Sequence, residues 1–390
     1  MIVPSDPFYG LKYINHKEIR QVKKVMKSKG LFRFDGPKLL RITEKLELNL
    51  SAIFDGNVLC VDNGTDALKL CLVANDIGVG DEVLVPCLSF IATASSVLTV
   101  GALPVFVDID KTFNIDITRA ESLITQNTKA IVVVHFQGQP CNMDSILEFA
   151  KKHNLIVIED VAQAFGVKYK DKYVGTIGDC SAFSFQSGKV ITSGEGGFFY
   201  CKDDAKFEKA KRYADCGGER PYDSYPSWDR EYTTFGENFK ITEIQSAILI
   251  EQLKKVNKIY FKQNKTYNYL VDNLNKYTFR KVNKKSKIFP MSLCIVFESE
   301  NQAQKFFQYV NQKGVEFSFK VGNFLPEYNT FKNKISWQRD NFPYTKEYQV
   351  NPCVKSLELL KRTCWLNLSA YLKKKHLKYI IKVMKDFINE

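Results

Sequence analysis

Three short segments combine residue types that can do chemistry with a setting that can aim them. The first is Asn63-Gly64-Thr65-Asp66, which follows an apolar run and opens a helical one. Main-chain N–H groups at a helix start lack intrahelical partners and carry partial positive charge, so such a turn can hold a phosphate. The same residues also make an ordinary helix entry, with Gly64 giving the turn and Thr65 or Asp66 the cap. The second segment is Glu159-Asp160, with Gln163 three residues on. A carboxylate at the carboxyl end of a central parallel strand points into the crevice where such sheets bind ligands. Burial there calls for a cationic partner, which a ligand or a structural Arg or Lys could equally supply. The third is Ser184-Phe185-Gln186-Ser187-Gly188-Lys189, followed by Ser193-Gly194-Glu195-Gly196-Gly197. Lys189 lies in a Gly/Ser loop between two apolar runs, where desolvation can lower the pKa of its amine enough to make it a nucleophile.

Each segment supplies, once, a part that pyridoxal 5′-phosphate needs. That cofactor requires a lysine to bond its aldehyde, an acid to keep its pyridine nitrogen protonated, and a phosphate cup at a helix N-terminus. The order along the chain, phosphate turn near 64, Asp near 160 and Lys near 189, is also that of the fold-type I aminotransferases.

The elements that must carry these residues alternate. Apolar runs at 57–63, 81–86, 102–110, 129–135 and 155–160 are each followed by an amphipathic stretch, the pattern of βα units in a parallel sheet. Runs this uniformly apolar are buried on both faces, so helices must cover both sides. Two further strands, SAFSF and GGFFYC, flank the lysine loop. A long helical stretch begins near 241. The chain then becomes Lys/Asn-rich, resumes alternation at 292–298 and 314–320, and ends in an amphipathic helix. The fold class expected is α/β: a large domain over 1–254 with an N-terminal arm and a mostly parallel, helix-covered sheet, and a smaller α+β domain over 255–390.

Composition narrows the classes. With 390 residues, 45% of them hydrophobic and 25% charged, the chain has the makeup of a globular protein with a large core. No apolar run approaches the roughly 18–20 residues a membrane helix requires, and the first residues lack the apolar stretch of a secretion signal. The ten cysteines are scattered without a CxxC pair or metal spacing, as expected of reduced cysteines in a cytoplasmic protein without a metal site. The net charge of +13 suits an anionic ligand or an inert solvated surface. Nucleic acid is not an expected partner, because no helix-turn-helix, zinc or RNP-like pattern accompanies the charge.

NGTDAL, DEVLVPCLSFIATA, GALPVFVDID, IEDVAQAFGVKYKDKYVGTIGD, AFSFQSGKVITSGEGG and GENFKITEIQSAI resemble consecutive motifs of the DegT/DnrJ/EryC1/StrS family of sugar aminotransferases, with little interruption from about 58 to 250. The resemblance implies fold type I and the following roles. Lys189 is the Schiff-base lysine, and Asp160 pairs with the pyridinium nitrogen. Gln163 bonds the ring hydroxyl, and Phe90 stacks on the ring. Gly64, Thr65 and Asp66 form the phosphate turn, Asp66 through its backbone at least, with Ser184 adding a hydroxyl. The resemblance further implies a homodimer with shared active sites, in which Asn238 reaches the phosphate of the neighbouring subunit. His135, ending a strand, and Glu195, between glycines, are candidate substrate contacts; a satisfied core histidine and a turn residue are the alternatives.

The activity so implied is a two-stroke transamination in which L-glutamate donates and a keto-sugar, mostly nucleotide-linked, accepts. Relatives that dehydrate a sugar carry His where this chain has Lys189. The family usually places a Pro-rich segment before its final helix, whereas this chain has TCWLNLSAYLKKKHLK, and the stretch 321–344 is unusually aromatic. That departure opens the acceptor to other ketones, a keto-octulosonate or a cyclitol, and a non-catalytic paralogue that merely binds the cofactor is the remaining rival.

Overall fold

The computed structural model describes residues 3–220, 231–283, 286–320, 322–345 and 347–389. Seven strands form the central sheet: β1 (Asn57–Val61), β2 (Glu82–Pro86), β3 (Leu103–Val107), β4 (Thr128–Val134), β5 (Ile156–Asp160), β6 (Cys180–Ser184) and β7 (Gly197–Cys201). Their order is β1-β7-β6-β5-β4-β2-β3. The neighbours from β6 to β3 run parallel, and β7 alone is antiparallel to both its neighbours. The apolar runs therefore became strands as the alternation predicts, most of them one to four residues shorter than the run and Thr128–Val134 as long as its run but shifted by one residue.

Successive side chains on a strand point to opposite faces, and two separate cores result. In β4, Ala130, Val132 and Val134 join one core, while Ile131 and Val133 join the other. In β5, Ile158 shares a face with the first core and Val157 with the second, so Glu159 and Asp160 must diverge. This divergence decides which of the two acids can reach the crevice.

A third core lies around an antiparallel sheet in the order Ser292–Val296, Thr363–Asn367, Ser318–Phe319, packed by the helices Glu300–Gln312 and Lys374–Asn389. Its middle strand, Thr363–Asn367, was not anticipated. The run expected over 314–320 pairs only at Ser318 and Phe319, because Val315 and Phe317 turn into the third core instead. The helix Val256–Asn273 joins the cores: Ile259 packs in the second and Leu270 in the third.

The N-terminal segment spans the same gap. Val3 is buried in the third core, the Tyr9 hydroxyl donates to Met291 O at 2.7 Å, and the Gly10 N–H donates to Lys189 O at 3.3 Å. A Cβ at Gly10 would stand 2.8 Å from Ile191 Cα, so the strap can lie this close to the lysine loop only as glycine. No helix among the described residues is long and apolar enough to cross a membrane.

Candidate active site

A cavity of about 900 Å³ opens at the carboxyl ends of β1, β5 and β6, and all three chemistry-bearing segments line it. One wall is the start of the helix Gly64–Ala74. Asn63 is its cap: Oδ1 accepts from Asp66 N at 2.9 Å, and Nδ2 donates to Asp66 Oδ2 at 2.7 Å. This differs from both expectations for Asp66. The cap falls at Asn63, two residues before Thr65 and three before Asp66, and the Asp66 N–H is already used, which leaves the N–H groups of Gly64 and Thr65 to face a ligand. Gly64 makes the wall close: a Cβ there would meet Ser184 Cβ at 2.8 Å and its Oγ at 3.3 Å. Burial, and after it neighbouring Asp62, push the Asp66 carboxyl up to about 7.

The floor is Asp160, only 4% exposed. Its Oδ1 accepts from Ala162 N at 3.0 Å and its Oδ2 from the Thr93 hydroxyl at 2.8 Å. Burial raises its pKa above the ordinary aspartate value, and these donors together with Lys189 only partly offset that. Glu159, on the other face, is fully buried and accepts from Gly175 N, Ile177 N, Gly178 N and His135 Nε2 at 2.6–2.9 Å. Strand alternation thus makes one acid a cavity group and the other a structural anchor.

Lys189 sits in the turn after β6, its N–H donating to Gln186 O at 2.9 Å. Burial holds its amine below the ordinary lysine value, against the opposing pull of Asp160 and Glu195. A lysine so placed presents more free amine at neutral pH than a solvated one. Gln163 lines the cavity and is fixed by its Oε1, which accepts from Gln137 N at 2.9 Å. Phe90 stands over the opening, 59% exposed. Ser184 contributes its hydroxyl, and Glu195 lies at the mouth, its carbonyl accepting from Gln245 Nε2 at 3.2 Å.

Two candidates lie elsewhere. His135 does not reach the cavity: it is fully buried, donates from Nε2 to Glu159 and accepts at Nδ1 from Cys141 N at 3.1 Å, so both nitrogens are spent on the fold. Asn238 is exposed and outside this cavity wall, its Oδ1 accepting from Lys240 N. Sequence reasoning missed Thr93 and Gln245 and gave Gln186, which it quoted within the lysine loop, no role of its own, although all three are in the wall. Gln245 was readable, because ITEIQ carries the T-x-x-Q of a capping box, and Thr242 and Gln245 do cap the helix Glu243–Leu253 reciprocally. Thr93 has no comparable signal.

The donor set fits pyridoxal 5′-phosphate. The Gly64 and Thr65 amides, set close against Ser184 because Gly64 lacks a Cβ, hydroxyls at Thr65 and Ser184, a buried carboxylate with no ion pair among the described residues, and a desolvated lysine share one cavity. Fold and cavity together define a protein of the pyridoxal-phosphate-dependent aminotransferase class, fold type I. The chain belongs to the DegT/DnrJ/EryC1/StrS aminotransferase family, whose sequence profile matches residues 12–385. Among curated relatives, GDP-perosamine synthase of Caulobacter vibrioides is 47% identical over 52% of this chain, and that of Escherichia coli O157:H7 is 41% identical over 58%. The chain spans only 53% and 60% of these relatives' own lengths. A putative L-glutamine:3-amino-2,3-dideoxy-scyllo-inosose aminotransferase of Micromonospora echinospora is 34% identical over 65% of this chain and 60% of its own length. Among solved structures, the aminotransferase of Psychrobacter cryohalolentis superposes with a TM-score of 0.86 at 28% identity, covering 99% of both chains.

Proposed function

We propose that this protein is a transaminase that moves an amino group from L-glutamate to a keto-sugar, in particular a nucleotide-linked keto-deoxyhexose, for amino-sugar and polysaccharide synthesis. The observation that carries the reading is the placement of Lys189 and Asp160 in one cavity with the Gly64–Thr65 cradle. Similarity to the two GDP-perosamine synthases supports the nucleotide-linked acceptor. The scyllo-inosose relative supports a cyclitol ketone as the second reading.

Pyridoxal 5′-phosphate, when bound, supplies an electrophilic aldehyde and a ring that accepts an electron pair. The chain's residues do the rest. The Gly64 and Thr65 N–H groups, with the Thr65 and Ser184 hydroxyls, hold the phosphate. Asp66, pushed up to about 7, is protonated much of the time near neutrality and repels that dianion less than an ordinary aspartate would. Phe90 covers the ring and excludes water from one face. Gln163, held by the Gln137 N–H, turns its amide to the ring hydroxyl. Asp160 stays anionic and holds the proton on the ring nitrogen. Lys189 would hold the aldehyde covalently at rest, and as a free amine, kept below the ordinary lysine pKa by burial, it would take up and return the proton at the substrate's amine-bearing carbon, in one direction for the donor and in the other for the ketone.

The exposure of Phe90 and Asn238 supports a homodimer in which a second copy covers the opening and presents its own Asn238 to the phosphate. Borohydride reduction of the cofactor-loaded protein tests the core of this reading. Wild type should retain a cofactor-sized mass on the peptide carrying Lys189, and Lys189→Ala should not; an adduct persisting in that variant refutes the assignment. Nucleotide-linked keto-sugars and a cyclitol ketone, each offered with glutamate and read by product mass, separate the two acceptor readings.

A further inference from the structure

Asp160 has more behind it than the motif residues. Its Oδ2 accepts from Thr93 Oγ1 at 2.8 Å, and Thr93 Oγ1 lies 2.6 Å from Ser89 Oγ. The direction of these bonds follows from counting protons. An ionised carboxylate can only accept, and a threonine hydroxyl carries one proton. Thr93 must therefore spend its proton on Asp160, and Ser89 must donate to Thr93. The result is a directed chain, Ser89 to Thr93 to Asp160, in which each donation polarises the next. Ser89 and Thr93 are fully buried, so water does not compete for either hydroxyl.

The main chain of both residues is held as well. The Thr93 N–H donates to Phe90 O at 3.1 Å, and the Ser89 N–H donates to Asn323 O at 3.2 Å. Just before Ser89, Leu88 bridges to Phe324, and Leu325 N donates to Cys87 O at 2.8 Å. The segment 323–325 thereby anchors the backbone that carries Ser89.

We propose that Ser89 and Thr93 are positioning residues that hold the Asp160 carboxylate ionised and aimed at the cationic ring nitrogen of pyridoxal phosphate. The proposal rests on the role assigned to Asp160 above. Of the two donors to that carboxylate among the described residues, the Ala162 amide belongs to the backbone, so Thr93 is the one that a substitution can remove. Without it, Oδ2 would be left in a buried site with no protein donor, and the carboxyl would favour its neutral, poorly attracting form. Were the two hydroxyls merely part of the helix entry, their loss would lower stability and leave cofactor binding alone.

The test compares wild type, Thr93→Val, Thr93→Ser, Ser89→Ala and Asp160→Asn. Valine keeps the shape and removes the donor; serine keeps the donor. The dissociation constant of the apoprotein for pyridoxal phosphate is measured by equilibrium dialysis, and kcat and KM are measured for the half-reaction with L-glutamate. Thr93→Val should weaken cofactor binding and lower kcat on the order of ten- to a hundredfold, the effect of one hydrogen bond to a charged group, with KM for glutamate changed less than about threefold. Thr93→Ser should stay within about threefold of wild type, and Ser89→Ala should fall between. Valine and serine variants that behave alike, in either direction, overturn the relay. Should Thr93→Val not fold, Ser89→Ala decides alone, and a wild-type dissociation constant there overturns it. A wild type that binds no cofactor overturns the Asp160 assignment and the relay with it. Binding weakened by Asp160→Asn but untouched by Thr93→Val overturns the relay and leaves the assignment standing.

Discussion

Asp160→Asn should make the cofactor-free protein more stable and the enzyme far slower. The substitution keeps size and shape, and the surroundings accept it: Oδ1 of the asparagine can still face the Ala162 N–H, and its amide can donate to Thr93 Oγ1 once that hydroxyl rotates toward Ser89. Ala162 and Thr93 each keep a partner, while Ser89 must turn its own proton away from Thr93, which offsets part of the gain. The removed charge, by contrast, is one that burial disfavours despite its donors, as the raised carboxyl pKa records. Relief of that penalty should stabilise the apoprotein by about 1–2 kcal/mol, the scale of an imperfectly compensated buried polar group. The pH dependence has a definite sign. A carboxyl raised above 3.8 in the native state binds its proton more tightly folded than unfolded, so wild-type stability falls as pH rises from about 3.8 through the native value. The asparagine variant lacks this titration and should gain on wild type across that window. In the loaded enzyme the same change removes one partner of a buried charge pair, about 3–5 kcal/mol, which is roughly two to four orders of magnitude in turnover. Urea titration of the apoproteins at several pH values and steady-state rates with glutamate read both effects. A variant less stable than wild type at neutral pH, or one with near-normal turnover, refutes the reasoning.

The other outcomes follow from single distances. Gly64→Ala places a Cβ 2.8 Å from Ser184 Cβ, so it should cost about 1–3 kcal/mol of stability and weaken phosphate-dependent cofactor binding; calorimetry and dialysis unaffected by the change would show the cradle is looser than described. Glu159→Gln swaps an acceptor for an amide that must face at least one of the three N–H groups of Gly175, Ile177 and Gly178, a loss of about 3–5 kcal/mol, and a denaturant midpoint equal to wild type would contradict it. Because burial lowers the Lys189 pKa, covalent capture of pyridoxal phosphate should have its pH midpoint below 10.5; a midpoint at or above that value means the amine is solvated.

What the sequence disclosed is what local pattern encodes. Buried parallel strands read as apolar runs, and the phosphate turn, the paired acids and the lysine loop each stand at the end of such a run, so their convergence followed from the sheet alone. Strand alternation even separates Glu159 from Asp160, although only the register against β4 and β6 says which acid faces the crevice. His135 shows the limit: a histidine ending a strand looks like a ligand until its two partners, Glu159 and Cys141 N, are known. Thr93 and Ser89 were invisible for the reverse reason, since SFIATA is an ordinary apolar helix entry and its hydroxyls matter only through an acid 67 residues further on. The strand Thr363–Asn367 was hidden likewise, because its pairing with Ser292–Val296 spans some 70 residues and TCWLN alternates poorly.

Residues 3–10 touch the lysine loop through Gly10, the carbonyl of Met291 through Tyr9, and the third core through Val3. They act as a strut laid from the third core to the lysine loop. Anyone grafting the front of this chain onto a homologue, or fusing a bulky tag there, is altering the backing of the reactive amine, even though the graft point lies some 180 positions away in the primary structure.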